Sequence, residues 1–305
     1  MALFSEMEFE NLSVMIRKYI PESIKEQYRL IRAKLLSIGF THCGTFEQPK
    51  DEVEASKDIS VIIAIHDSPE FTHRCLESIE KYGADAEVIL VDDASQLQET
   101  TDLIRNYEQR NGWIVVRHKE PMGHSRSCEA GSRLATKPYL CFLNSDTVIT
   151  PWSWRACKEA FDSDPQIAVI GPTTSRASTE QTIRRAEYCR HYWTNSQICA
   201  FAERYISKQQ PRSWVDLPAV DGFAFFIRRT IWEEFGEFDS RLTDYGNETE
   251  LCKRLSKSGF RIIWTQNSYI HHFGEASYSR IMSTNEIRQK RIIAQDYINS
   301  VHNSE

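Results

Sequence analysis

The amino-acid sequence predicts an α/β protein in which helices flank a mostly parallel central sheet. Two observations predict this class. From residue 59 onward, short and nearly continuous apolar runs recur, and a segment with helical spacing separates each run from the next. This alternation is typical of parallel strands joined by right-handed crossovers. Because such sheets bind ligands beyond the carboxyl ends of their strands, the polar residues that follow the apolar runs are candidates for a functional site.

Residues 1–57 are predicted to form a helical extension. Pro21 suits a first helical turn, and Gly39 is placed to end the helix. Four apolar residues recur at helical spacing between them: Ile24, Tyr28, Ile31 and Leu35. The polar stretch 47–58 that follows is interpreted as a linker. Two roles stay open for the extension, namely a packing appendage or a surface for oligomerisation or acceptor docking.

The first half of the following domain alternates regularly. The run ISVIIAI, which starts at Ile59, is apolar at almost every position, as expected of a strand buried on both faces. Helices are predicted at about 69–82, 98–109 and 125–135. They separate this strand from three further strand segments: AEVILVDD, WIVVRH and PYLCFLNSD.

The second half is less regular. Helical patterns are predicted at about 178–208 and 248–258, and Gly259 is placed to end the latter. The segment VDGFAFFIRRTIW predicts a strand that runs into a helix, and FRIIWTQ and SYIHHFG are strand-like. The last helix, about 285–301, is predicted to bury Ile287, Ile292, Ile293 and Tyr297. The predicted organisation is therefore an extension (1–57), one α/β domain (58–280) and a C-terminal helix (281–305).

Composition excludes several classes of protein. The chain has 305 residues, 41% of them hydrophobic, and a formal net charge of -6, which argues against a nucleic-acid-binding protein. No apolar run approaches the roughly 20 residues that span a bilayer. The N-terminus lacks the pattern of a signal peptide, so a cytoplasmic location is predicted. The eight cysteines are scattered, which favours free buried thiols over a zinc site or disulfides.

Two clusters of polar residues follow predicted strands. VILVDDAS ends in Asp92 and Asp93, and LNSDTVI contains Asn144, Ser145 and Asp146. In the second cluster a carboxylate and an amide lie close together, which suits a hard cation such as Mg²⁺ or Mn²⁺. A simpler interpretation also stays open for each cluster. In the first, Asp92 or Asp93 caps the next helix; in the second, an Asn or Asp side chain stabilises a turn.

Taken together, the motifs resemble those of family-2 glycosyltransferases over about residues 59–278, in matching order and spacing. The similarity is greatest to the rhamnosyltransferase-like, O-antigen-type branch. It implies the GT-A fold with a Rossmann-like sheet, a nucleotide-diphosphate sugar donor (UDP- or dTDP-linked), a divalent metal (Mn²⁺ or Mg²⁺) and an inverting mechanism. The segments concerned are ISVIIAIHDSPEFTHRCLESI, VILVDDAS, GHSRSCEAGSRLATKPYLCFLNSDTVITPWSW, IAVIGPTTS, VDLPAVDGFAFFIRRTIWEEFGEFDSRL, YGNETELCKRLSKSGF and SYIHHFGEASY.

The resemblance implies a donor site near the first strands. Asp93 matches the aspartate that hydrogen-bonds the nucleotide base. Asp67 stands where the family usually has asparagine, and Ala64 stands where it usually has proline. His66 and Gly123 lie within the matching segments and are predicted to line the same site.

The resemblance also implies a metal site. Asp146 matches the last aspartate of the family's metal motif, Asn144 replaces the first, and Ser145 lies between them as part of the donor site. His272 matches the histidine that completes the diphosphate–metal site. A one-residue shift to His271 stays open, since adjacent strand residues point to opposite faces.

The segment GNETEL matches the family's acidic motif and places Glu248 as the general base, with Asn247 in place of the first acid and Glu250 as the later one. An acceptor hydroxyl is a weak nucleophile, so a positioned carboxylate must take its proton. The simpler interpretation is that both glutamates favour a helix N-terminus. Gly222 is predicted to let the backbone approach the donor sugar, and Asp221 is a candidate for binding sugar hydroxyls.

The predicted partners are a nucleotide sugar and a glycan, lipid-linked or peptide acceptor, without nucleic acid. Peripheral association with a membrane, and oligomerisation through the N-terminal helices, stay open. Two other functions are weighed. A nucleotide-sugar pyrophosphorylase needs a glycine- and lysine-rich phosphate loop, which does not follow ISVIIAIHD. A non-catalytic protein of the same fold that binds nucleotide sugar or glycan is the alternative that remains.

Overall fold

A computed structural model describes residues 46–302, apart from 84, 190, 192, 243–244 and 275–283, and in addition residues 24, 27 and 31. Ile24 and Ile31 are helical, as predicted, and both are exposed. The rest of the predicted helix between Pro21 and Gly39 lies outside the described residues.

The first half of the domain forms a parallel sheet, as predicted. Strands β1 to β4 lie in the order β3-β2-β1-β4, and each pairs in parallel with its neighbour. Helices α2 to α4 connect them. The elements are α1 (Lys50–Ser56), β1 (Ile59–Ile65), α2 (Pro69–Tyr82), β2 (Glu87–Asp92), α3 (Gln98–Asn111), β3 (Ile114–Arg117), α4 (His124–Ser132) and β4 (Tyr139–Leu143).

The second half extends this sheet in mixed orientation. Strand β8 lies antiparallel between β4 and β6, and β9 is parallel to β6 but antiparallel to β5 and β7. The elements are β5 (Thr147–Ile149), α5 (Arg155–Ser163), β6 (Ile167–Thr173), α6 (Arg184–Cys189), α7 (Asn195–Ile206), β7 (Trp214–Asp216), β8 (Ala224–Arg228), α8 (Arg229–Phe235), α9 (Asn247–Lys257), β9 (Arg261–His272) and α10 (Thr284–His302).

Two predicted elements differ from those in the structure. The helical pattern at 178–208 contains two separate helices, α6 and α7, and α7 begins at a capping box formed by Thr194 and Gln197. The two strand-like segments near the C-terminal end of the domain form a single strand, β9, because both pair with β6.

Two hydrophobic clusters cover the two faces of the sheet. Val61 and Ile63 of β1 pack with side chains of α2, α3 and α5, whereas Ile62 packs with side chains of α4, α8 and α9. This arrangement explains the continuous apolar run of β1, because both of its faces are buried. The cysteines whose side chains the structure describes are free and buried, as expected: Cys75, Cys128, Cys141, Cys157, Cys199 and Cys252.

The stretch 47–58, interpreted as a linker, contains helix α1 and packs against the domain. Glu52 is buried, and its Oε2 accepts hydrogen bonds from the backbone N–H groups of Trp154 (2.8 Å) and Arg155 (2.9 Å). The carboxylate therefore caps the start of α5, where backbone N–H groups have no partner inside the helix. The linker interpretation is wrong, because this stretch forms a helix that packs against the domain through Glu52 and Ala55. The polar sequence hid this packing, since the helix has no apolar stripe.

Helix α10 exists as predicted but buries a different stripe. Ile287, Ala294 and Ile298 are buried, whereas Ile292 is 43% exposed and Ile293 is 65% exposed. Ala294 and Ile298 pack against Leu242 in a small separate cluster, to which Tyr297 adds a partly buried ring, as predicted. Among the described residues, no helix has the length and apolar character required to cross a membrane.

Candidate functional site

A cavity of about 810 Å³ lies at the carboxyl ends of β1, β2 and β4. This is the edge at which parallel sheets bind ligands. The structure gathers nearly all of the predicted site residues around this cavity: Ala64, His66, Asp93, Gly123, Asn144, Ser145, Asp146, Asp221, Gly222, Glu248 and His272. Asp67 does not line it.

The Asp93 carboxylate holds the loop that follows β3. Its Oδ1 accepts hydrogen bonds from His118 Nδ1 (2.9 Å) and Met122 N (2.7 Å), and its Oδ2 accepts one from Gly123 N (2.9 Å). Burial alone would raise the pKa of Asp93, but these donors stabilise the ionised form and lower the pKa below its usual value. Asp93 therefore shapes this wall of the cavity and orders Gly123, which lies at the start of α4.

The residues that follow β1 contact the loop after β2. His66 Nδ1 donates to the backbone carbonyl of Asp93 at 2.7 Å. Asp67 has a positive φ of 53°, and its Oδ1 accepts from the backbone N–H groups of Gln96 (3.0 Å) and Leu97 (2.9 Å). The Asp67 side chain is thus turned toward the loop after β2, which explains why it does not reach the cavity.

Asp146 and His272 meet because of the register of two strands. Strand β5 starts directly after Asp146 and pairs antiparallel with β9, so that Thr147 lies opposite His272. This pairing leaves 3.3 Å between Asp146 Oδ1 and His272 Nε2. Burial alone would lower the pKa of His272, but the Asp146 carboxylate raises it above its usual value.

The structure distinguishes between the two adjacent histidines. His272 lines the cavity, and its Nδ1 donates to the backbone carbonyl of Arg176 at 2.7 Å, which turns Nε2 toward Asp146. His271 is fully buried on the other face of β9, with its Nδ1 3.0 Å from the hydroxyl of Tyr269. Only His272 of the two is therefore positioned to meet a ligand in the cavity.

The carboxylate of Glu248 lies directly over Gly222. A Cβ atom at position 222 would lie 1.7 Å from Glu248 Oε1, a separation that no side chain allows. Glycine was predicted here to let the donor sugar approach the backbone. In the structure Gly222 lines the cavity, and the space above it is filled by the carboxylate of the candidate base.

Glu248 is a desolvated carboxylate at the cavity. Burial raises the pKa of Glu248 to about 7, and the negative charge of Asp221 adds to the effect. Asp221 itself is held by Ser178, since its Oδ2 accepts from the backbone N–H (2.6 Å) and from Oγ (2.5 Å) of that residue. A carboxyl group with a pKa near neutrality can exchange a proton readily at physiological pH.

Two further polar residues of the GNETEL segment, Asn247 and Glu250, face away from the cavity. Asn247 is buried and its Nδ2 donates to Ser125 Oγ at 3.0 Å. Glu250 is buried and pairs with Arg254 at 2.8 Å. Asn247 and Glu250 thus fix the position of α9, and Glu248 alone of the three lines the cavity.

Sequence analysis missed one wall of the cavity, which belongs to helix α10. Lys290, Arg291 and Gln295 line the cavity from this helix, next to Ala294 and Ile298. The apolar pattern of the helix placed the buried stripe elsewhere, so no signal in the sequence pointed to this contact.

The family follows from a match over more than half of the chain. The model described as glycosyl transferase family 2 matches residues 60–236, more than half of the chain. The chain belongs to glycosyltransferase family 2. The match includes Asp93, Asp146 and Gly222 of this family-2 glycosyltransferase, and it ends before Glu248 and His272.

Several relatives of this family-2 glycosyltransferase are similar in sequence. The O-antigen biosynthesis protein RfbC of Myxococcus xanthus is 22% identical over 228 residues, which are 72% of this chain but 18% of RfbC. The chain thus corresponds to less than a fifth of RfbC. An uncharacterized protein of Mycobacterium tuberculosis is 33% identical over 224 residues, which are 71% of this chain and 74% of that protein.

Solved structures of glycosyltransferases share the fold. GalNAc-T7 with UDP, GalNAc and Mn²⁺ has a TM-score of 0.55 at 18% identity, over 70% of this chain and 43% of its own. The mannosyltransferase PcManGT from Pyrobaculum calidifontis, in complex with GDP-Man and Mn²⁺, has a TM-score of 0.51 at 14% identity, over 89% of this chain and 79% of its own. The GT-A fold expected from the sequence motifs is thereby confirmed.

Proposed function

We propose that this glycosyltransferase moves a sugar from a UDP or dTDP donor to an acceptor hydroxyl, with inversion at the anomeric carbon and Glu248 as the general base. One observation supports this proposal above the others: the Glu248 carboxylate, with a pKa raised to about 7, lies in the same cavity as the residues that follow β1, β2 and β4. A carboxylate at a cavity whose pKa is raised by desolvation is typical of a functional site.

The reaction needs one displacement. Glu248 takes the proton of the acceptor hydroxyl as the oxygen forms a bond to the anomeric carbon, while the bond from that carbon to the diphosphate oxygen breaks. The nucleoside diphosphate leaves with the bonding electron pair. Desolvation helps here, because a carboxylate with a pKa near 7 is a stronger base than one exposed to water and is still about half ionised at neutral pH.

The donor is proposed to bind along the strand ends. Asp93, which lines the cavity, is proposed to accept a hydrogen bond from the nucleotide base, and Gly123 lines the same cavity at the start of α4. The N-terminus of α4 favours negative charge, which suits a diphosphate. GalNAc-T7 with UDP and PcManGT with GDP-Man support a nucleotide donor of this kind.

A divalent metal is part of the proposal, and the residues present fit it. Asp146 and His272 offer a carboxylate oxygen and an imidazole nitrogen 3.3 Å apart, and the hydrogen bond to the Arg176 carbonyl orients the ring. Within the described residues no group of three His, Cys, Asp or Glu side chains can hold a metal. Mg²⁺ and Mn²⁺ are commonly held by one or two protein ligands together with substrate phosphates. When bound, the ion neutralises charge on the leaving diphosphate.

The decisive experiment compares Glu248→Gln with Glu250→Gln. Glutamine keeps the shape of glutamate but cannot accept the proton, so we expect transfer by Glu248→Gln to fall roughly 10²–10⁴-fold. Glu250→Gln should retain transfer, because Glu250 pairs with Arg254 outside the cavity. Calorimetry with UDP and dTDP should give unchanged nucleotide affinity for both variants.

Two outcomes would contradict the proposal. Wild-type transfer by Glu248→Gln would place the base elsewhere. Failure of the unmodified protein to release nucleoside diphosphate from any nucleotide sugar, although it binds them, would favour a binding protein without catalysis. One relative is named an inactive polypeptide N-acetylgalactosaminyltransferase-like protein, so this second outcome has a known counterpart in sequence.

The metal is tested separately by nucleotide titration with Mn²⁺ and with EDTA. We expect EDTA to weaken the binding of UDP or dTDP, and Asp146→Asn to abolish the difference between the two conditions. Equal affinity of the unmodified protein in both conditions would remove the metal from the proposal and leave the role of Glu248 unaffected.

A further inference from the structure

We propose that helix α10 forms the acceptor side of the cavity and that Lys290 and Arg291 bind an anionic group of the acceptor, a phosphate or a carboxylate. This inference rests on the proposed function and specifies its acceptor class. The observation behind it is a cavity wall with two cationic side chains next to the turn that positions Glu248.

Helix α10 is packed against the helix of the candidate base. Gly246, the residue at the N-terminal boundary of α9, has a φ of 84°, and a Cβ there would lie 2.9 Å from Ile298 Cδ1 and 3.2 Å from Ala294 Cβ. Glu248 follows two residues later. The contact between α10 and this turn therefore leaves no space even for a methyl group.

The C-terminal end of α10 is also attached to α9. Lys257 Nζ donates to the backbone carbonyl of His302 at 3.1 Å, and His302 Nε2 lies 3.3 Å from Glu250 Oε1. In addition, the hydroxyl of Tyr297 donates to Asp239 at 2.6 Å, which is a further attachment of the C-terminal third of the helix. The position of α10 is thus coupled to the turn and the helix that carry the candidate base.

The chemistry of the wall indicates an anion. Lys290 and Arg291 flank the buried stripe of α10 and line the cavity, and the Arg291 guanidinium lies 5.1 Å from the centre of the Tyr245 ring, which lines it too. Glu248 and Asp221 line the same cavity, and their negative charges would repel an anionic acceptor. The positive charges of Lys290 and Arg291 offset this repulsion. Two cations beside them allow a negatively charged acceptor to approach the base, because charge-assisted hydrogen bonds are stronger than neutral ones.

The proposal is tested with Lys290→Gln, Arg291→Gln and the double variant. Arg288→Gln is the matched control, because it removes the same charge from an exposed position of α10 that does not line the cavity. Three acceptor probes share one octyl hexoside: the neutral glycoside, its uronate and its 6-phosphate. Binding of each probe is measured by calorimetry at saturating UDP, and transfer is measured with UDP- and dTDP-sugars.

We expect the unmodified protein to bind one of the anionic probes at least tenfold more tightly than the neutral one. The double variant should lose this preference, while its affinity for UDP and the behaviour of Arg288→Gln stay within twofold of the unmodified protein. Preference for the phosphate or for the uronate identifies the source of the anionic group. The melting temperature of each variant shows whether α10 is still folded.

Three results would overturn the inference. They are equal binding of all probes by the unmodified protein, an equal loss for neutral and anionic probes in the double variant, and weaker binding of UDP in that variant. The last would assign the two cations to the donor diphosphate. None of these results affects the release of nucleoside diphosphate by the unmodified protein, which tests the proposed function by itself.

Discussion

The strand-end rim of the cavity and its α9 rim use carboxylates in opposite ways. At the strand ends, Asp93 accepts three hydrogen bonds from the protein, and its pKa is lowered. On the α9 side, burial raises the pKa of Glu248 to about 7. Hydrogen bonds to the ionised form favour it, whereas loss of water disfavours it.

This contrast separates a carboxylate that organises a site from one suited to move a proton. Asp93 stays ionised and holds the Gly123 loop, so it contributes a fixed negative charge and a fixed shape. Glu248 is near the point at which it gains or loses a proton at neutral pH, which is what a general base needs. The environment of a carboxylate, and not its residue type, decides between these roles.

Gly222→Ala should have the largest effect. The new Cβ would occupy the position of Glu248 Oε1, from which it is 1.7 Å away, so the carboxylate must move. A displacement of about 1 Å costs roughly 100-fold in rate, and we expect transfer to fall by at least that factor. The measurement is kcat with the donor saturating, accompanied by UDP calorimetry, in which the affinity should be retained. Transfer within threefold of normal would show that the position of Glu248 is not important.

The pH profile should distinguish the two rims. As a base, Glu248 acts in its ionised form, so kcat/KM should rise about tenfold per pH unit below 7 and level off above an apparent pKa of about 7. Asp93 remains ionised over this range and should contribute no change. The profile is measured from pH 5 to 9, and Glu248→Gln should lose the dependence near 7. A midpoint near 4 would mean that Glu248 is not desolvated.

Asp93→Asn should affect stability and nucleotide binding together. The amide cannot accept all of the hydrogen bonds from His118, Met122 and Gly123, and we expect a loss of about 1–3 kcal/mol in the free energy of unfolding. Because the pKa of Asp93 is lowered on folding, its contribution is present above the unfolded pKa of about 4 and disappears as the pH falls. Urea unfolding at pH 7 and pH 3 measures this difference.

The matched control for Asp93 is Asp67→Asn. Asp67 also accepts two backbone hydrogen bonds, from Gln96 and Leu97, but does not line the cavity. We therefore expect Asp67→Asn to lower stability with unchanged UDP affinity, and Asp93→Asn to weaken both. Unchanged UDP affinity in Asp93→Asn would limit Asp93 to holding its loop.

Glu52→Gln should have the smallest effect on transfer. Burial raises the pKa of Glu52 to about 7, like that of Glu248, but Glu52 caps α5 and does not line the cavity. A group whose pKa is raised on folding contributes stability that is fully present below its unfolded pKa, here about 4.5. This contribution is lost as the pH rises toward 7. We expect Glu52→Gln to remove the contribution of Glu52 to the pH dependence of urea unfolding between pH 4 and 8, while that of Glu248 remains and transfer is unchanged. A loss of transfer would show that a raised pKa outside the cavity also affects catalysis.

Local patterns in the sequence determined much of the fold. The apolar runs of β1, β2 and β4 and the helical spacing between them located these elements within a few residues, because burial on both faces or on one face dictates residue type locally. The strand-end positions of Asp93 and Asp146 followed from the same patterns. The stretch 47–58 did not, since α1 is a polar helix that packs through the Glu52 carboxylate and the Ala55 side chain.

Tertiary structure decided the features that depend on residues distant in the chain. The register between β5 and β9 turns His272 toward Asp146, and the packing of α9 on the segment before β8 places Glu248 over Gly222. The buried stripe of α10, which includes Ala294 and Ile298, turns Lys290 and Arg291 toward the cavity. Sequence patterns report which side of an element is buried, but the pKa of Glu248 and the shape of the cavity arise from what packs against that side.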